Sequence, residues 1–116
     1  MLRRANFPEI ERAASANALD ARRLLETLRR YLPLAAHPRG RLRASLIGAA
    51  QRGAFDDRCR VTGVFDAGET FGLMCQVEIG ADAARAIFVA PIAELAFDRR
   101  RPITREIVDY CRRRRI

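Results

Sequence analysis

The 116-residue chain is near the ordinary size of one domain, and a second independently folding unit would lack a core of its own. Hydrophobic residues make up 49%, which excludes disorder along the whole length. With 22 basic against 14 acidic residues the formal net charge is +8, a field that attracts polyanions: nucleic acid, an anionic membrane or an acidic protein face.

Residues 1–34 read as helical. Asn6 lies two positions ahead of Pro8, with Glu9 and Glu11 in the first turn, so a short helix opens there and Ile10 and the alanines continue it. A second, stronger helix follows: Asn17 caps it, Asp20 falls three residues later, and Ala21, Leu24, Leu25, Leu28 and Leu32 recur at helical spacing. Arg22, Arg23, Glu26, Arg29 and Arg30 take the opposite face, and Pro33 ends the helix.

Residues 35–116 read as a small barrel-like core with a closing helix, the two regions forming one domain. His37-Pro38-Arg39-Gly40 is loop chemistry. Arg43 to Gln51 fits a short helix or a strand, and an extended segment is the expectation for 35–55. From Asp57 the period changes to two, with Cys59, Val61 and Phe65 facing one way and Arg58, Arg60 and Thr62 the other. Asp66 to Thr70 supply a turn, after which Phe71, Leu73, Cys75, Val77 and Ile79 alternate with Gly72, Gln76 and Glu78 to complete a hairpin. Beyond a second turn at 80–83, Ala86 to Ala90 form a third, more buried strand that Pro91 interrupts. Ile92, Leu95 and Phe97 continue as a short turn or strand. Pro102 opens a last helix, with Ile103, Ile107, Tyr110 and Cys111 on one stripe.

Cys59, Cys75 and Cys111 are odd in number, lack CxxC spacing and lie in apolar segments, so they read as reduced core residues. Arg3 and Arg4 are followed by Pro8, Glu9 and Glu11, where a signal peptide needs an unbroken apolar stretch. No run nears the roughly 20 apolar residues of a membrane span. A cytoplasmic protein with no membrane contact is expected.

The strand from Val61-Thr62-Gly63, the acidic turn Asp66 to Glu69, the element Val89-Ala90-Pro91-Ile92-Ala93-Glu94-Leu95 and the closing Glu106 to Tyr110 together resemble the small bacterial calcium-binding proteins of the CcbP type. The resemblance spans roughly residues 31–111. It implies a strongly curved antiparallel sheet of the SH3-like barrel type with helices packed against it, calcium binding and no catalysis. The charge departs from that family's acidic members, and here the turn carries only Asp66 and Glu69 as calcium ligands, whereas calcium takes six to eight oxygens.

The arginines fall in clusters: Arg22, Arg23, Arg29 and Arg30 on one helix; Arg39, Arg41 and Arg43 in the following segment; Arg99, Arg100 and Arg101; and Arg112 to Arg115. All 22 basic residues are arginine, a usage that fits a GC-rich bacterial genome, but that bias does not explain the shortage of carboxylates. The terminal run is favoured by the helix dipole, by about 0.3–1 kcal/mol per cation. The Arg99–Arg101 run precedes the same helix, where the dipole opposes it, so local stability does not explain its placement. A solvated face and a polyanion-binding surface both fit such clusters. With six Phe, two Tyr and no Trp, mostly on the expected buried faces, base stacking lacks a platform, and contact with a phosphate backbone or an acidic protein fits better.

His37 has no Cys or carboxylate at metal spacing beside it, the carboxylates show no EF-hand pattern, and no P-loop, GxGxxG or GxSxG occurs. No enzyme and no cofactor are expected. The sequence therefore predicts an α+β domain in which N-terminal helices pack on a small curved antiparallel sheet, closed by a short C-terminal helix. The leading function is a binding or adaptor module holding nucleic acid or an acidic protein through Arg22, Arg29, Arg39, Arg41, Arg43, Arg99, Arg100, Arg101, Arg112 and Arg113. The alternative is a calcium-binding regulator through Asp66 and Glu69. A third reading is a subunit that oligomerises through its N-terminal helix.

Overall fold

Leucine recurrence builds the first element, α1 (Pro8–Tyr31), in a computed structural model that describes residues 8–49, 59–80 and 86–114. Where two helices are expected there is one. No Gly or Pro interrupts residues 9–31, and running an alanine-rich segment through Asn17 costs less than nucleating a fresh helix beyond it. Ala21, Leu24 and Leu28 are buried, Leu25 and Leu32 pack beside them, and Arg22, Arg23, Glu26, Arg29 and Arg30 face solvent. Pro33 stops the helix as expected, through a cis Leu32–Pro33 peptide.

Strand β1 (Leu34–Pro38) buries Leu34, Ala36 and Pro38 and exposes Ala35 and His37. The extended segment expected over 35–55 ends there, because α2 (Gly40–Ala49) follows; residues 50–55 lie outside the described ones. Leu42 and Leu46, four apart, make one buried face, and the intervening Arg, Ala and Ser positions favour helix over strand.

The remaining described elements are β2 (Cys59–Asp66), β3 (Leu73–Ile79), β4 (Ala86–Pro91), a 3-10 turn at Ile92–Glu94, β5 (Leu95–Ala96) and α3 (Pro102–Arg114). The five strands form one curled antiparallel half-barrel in the order β4-β3-β2-β1-β5. A bulge interrupts β2: Val61 pairs with Val77 and Gly63 with Gln76, leaving Thr62 as the extra residue. Beyond it the side chains change face, so Val64 enters the core and Phe65, expected inward, is 41% exposed. Phe71 is also exposed and lies before β3, whose inward Leu73, Cys75, Val77 and Ile79 are as expected.

Strand β4 overturns another expectation. Among the described strands it lies at the sheet edge and pairs with β3 alone, and Ala86 to Val89 are exposed, Ile87 at 61% and Val89 at 56%. An uninterrupted apolar run reads alike for a covered strand and a bare edge, which is why the sequence suggested burial. Helix α1 packs on β2 and α3, and α3 packs on α1 and the 3-10 turn, so helices and sheet share one buried cluster centred on Leu28, Leu34, Val61, Leu73, Cys75 and Val77. No helix among the described residues is long and apolar enough to cross a membrane.

Candidate functional site

Helix α3 has two working faces. Ile103, Ile107 and Tyr110 point into the core, as the stripe predicts, while Thr104, Val108 and Arg112, spaced by four, lie along its flank. The helix start is fixed by Asp98. Its carboxylate Oδ1 accepts the Arg100 N–H at 2.9 Å, its carbonyl accepts the Arg101 N–H at 3.1 Å, and the same carbonyl accepts the Thr104 hydroxyl. The Arg100 guanidinium also pairs with that carboxylate at 3.3 Å. The two Arg100 bonds, the backbone one first, hold the Asp98 carboxyl below the usual carboxylate range.

Opposite α3, the 3-10 turn and β5 present Ala93, Leu95, Ala96 and Phe97. Arg39 is fastened beside them by its backbone N–H, which donates to the Glu94 carbonyl at 2.8 Å. Between the two walls lies a groove of about 310 Å³ with an apolar floor that includes Leu95, Phe97, Ile107 and Val108, and with Arg39, Arg99 and Arg112 around it. Among the described residues no carboxylate lines it. Thr104 borders the groove, but its hydroxyl is committed to Asp98.

The structure sorts the arginines expected to bind. Arg29 donates to the Val64 carbonyl at 3.3 Å, Arg100 is paired with Asp98, and Arg113 with Asp20 at 3.6 Å. Arg22, Arg41, Arg43 and Arg101 are exposed but lie outside the groove. Arg39, Arg99 and Arg112, from three separate clusters, are brought together, and their side chains have neither ion pair nor hydrogen bond among the described residues. Leu95, Phe97 and Ile107 are core residues, as the sequence suggests, that also line the groove. Sequence reasoning missed Val108, whose faint signal is that it falls one position off the buried stripe of its helix.

At the turn expected to hold calcium, Asp66 Oδ1 accepts the Gly68 N–H at 2.9 Å, while the Glu69 and Thr70 carbonyls accept from the Arg114 guanidinium at 3.0 and 3.2 Å. Arg114 also stacks over Tyr110, 5.9 Å from the ring centroid, and the Tyr110 hydroxyl accepts the Leu73 N–H at 2.9 Å. Gly72 makes room for this: its φ is +67°, and a Cβ there would stand 2.5 Å from Arg114 Cζ and 2.6 Å from the Tyr110 oxygen. Among the described residues no three His, Cys, Asp or Glu side chains gather as metal ligands. His37 is exposed on β1. Burial pushes the Cys59 thiol up to about 11 and the Cys75 thiol to about 12, so neither supplies a thiolate near neutrality.

The fold and groove define an α+β protein with a cationic, apolar-floored cleft. No family model, curated protein or solved structure matches the chain.

Proposed function

We propose that the protein is a non-enzymatic binding module that holds an acidic partner, with the α3–β5 groove at the centre of the contact. One observation carries this reading: three arginines far apart in sequence border a single cleft where, among the described residues, they are unpaired and no carboxylate lines the walls to neutralise them. An unpaired guanidinium retains its full fork of donors for an incoming carboxylate or phosphate. We read the half-barrel as SH3-like, supported by the β1–β4 meander and by the 3-10 turn from which β5 returns to pair with β1. The three free cysteines fit a reducing cytoplasm. Arg114 on the Glu69 and Thr70 carbonyls favours this reading over calcium binding at Asp66 and Glu69, since a guanidinium already takes oxygens that a metal would need.

The test is fluorescence anisotropy with labelled polyglutamate and single-stranded RNA at low salt. Replacing Arg39, Arg99 and Arg112 together by Gln is expected to weaken binding of whichever polyanion associates by roughly tenfold or more. A triple variant that binds as tightly as the parent sinks the proposal.

A further inference from the structure

Resting on that reading, we infer that the groove takes a protein ligand: an acidic peptide segment that seats aliphatic side chains on the Val108 floor and presents carboxylates to Arg39, Arg99 and Arg112. The floor decides between classes of polyanion. Val108 is 41% exposed in the middle of the α3 flank, above the buried Ile107, Leu95 and Phe97. A sugar-phosphate backbone gains nothing from covering such a surface, whereas a Leu or Ile side chain gains by leaving water there.

Nucleic acid also lacks its usual partners in the cleft. Among the described residues Phe97 is the one aromatic residue lining it, and it is buried, so it offers no ring face for stacking. The Thr104 hydroxyl in the lining is already donating to Asp98. What remains is an apolar floor rimmed by guanidinium forks, complementary to a segment in which apolar residues alternate with Asp or Glu. The volume, about 310 Å³, lies at the lower end of ligand-sized clefts and suits side chains of a peptide better than a duplex. A second copy is a poor occupant, because each chain carries +8.

The experiment compares three labelled probes on the full chain: a short peptide of leucines interspersed with aspartates and glutamates, a glutamate-only peptide of equal charge, and a single-stranded RNA of equal charge. The leucine-bearing peptide is expected to bind roughly tenfold tighter than the glutamate-only one, and Val108→Asp to abolish that advantage. Val108 is half exposed, so the variant should keep its melting temperature, but the comparison between peptides on the unmodified protein stands without it. Equal affinity for the two peptides overturns the inference and leaves the acidic-partner reading intact. RNA that binds more tightly than either peptide overturns it in favour of a nucleic-acid backbone. Failure of all three probes to bind overturns both.

Discussion

Three ionisable side chains do their work by staying neutral. Cys59 and Cys75 point into the sheet's inner face, and burial raises their thiols from an ordinary value near 9.0 to about 11 and about 12. Tyr110 is shifted upward as well, first by burial, with the Leu73 N–H bond pulling the other way. Each of these groups ionises more readily in the unfolded chain than in the folded one. Their contribution is therefore fully present below the unfolded values and is lost as pH rises through the folded ones. The urea midpoint is expected to be flat from about pH 7 to about pH 8 and to fall steadily between about pH 9 and about pH 11. Replacing both Cys59 and Cys75 by Ala, whatever it does to stability at neutral pH, should flatten that decline. An unchanged slope in the double variant would remove the thiols as its cause.

At the scale of elements, the bulge in β2 is the feature that most changes which residues matter. Without it, Phe65 would share a face with Cys59 and Val61; with Thr62 inserted, Val64 takes that place at 5% exposure. Val64→Ala should lower stability by about 2 kcal/mol through lost burial and the cavity left behind, whereas Phe65→Ser should stay within about 0.5 kcal/mol. Urea unfolding of both variants checks this, and the opposite ranking would mean that the strand runs in unbroken register. The sequence carried α3, the β2–β3 hairpin and the stripe on α1 because each has a periodicity that survives in the fold. It hid what depends on partners elsewhere in the chain. A bulge leaves the alternation of β2 looking regular, the apolar run of β4 cannot disclose that it is exposed at an edge, and Leu42 and Leu46 signal a helix only once their shared burial is seen.

For the whole molecule the question is how a charge of +8 is deployed, since a net charge alone describes a field and not a site. The clusters were legible as runs of arginine; what no run discloses is which members are neutralised at home. Asp98, Asp20 and the Val64 carbonyl occupy Arg100, Arg113 and Arg29, and the fold then gathers at the groove, from each of three clusters, one arginine that is unpaired among the described residues. That division predicts an asymmetry between substitutions identical in charge. Replacing Arg100 and Arg113 by Gln removes two positive charges from the surface, and replacing Arg39 and Arg112 removes two as well. Long-range attraction depends on the total and is screened within about 10 Å at 0.1 M salt. Both variants should therefore lose a similar amount of affinity for an acidic peptide at very low ionic strength. Near 0.15 M salt only direct contacts survive, and there the Arg39 and Arg112 variant should bind several-fold more weakly than the Arg100 and Arg113 variant. Anisotropy titrations of both variants across a salt series measure the divergence directly. Curves that stay superimposed at every salt concentration would mean that binding senses the overall field, with no contribution from where the fold leaves its arginines unpaired.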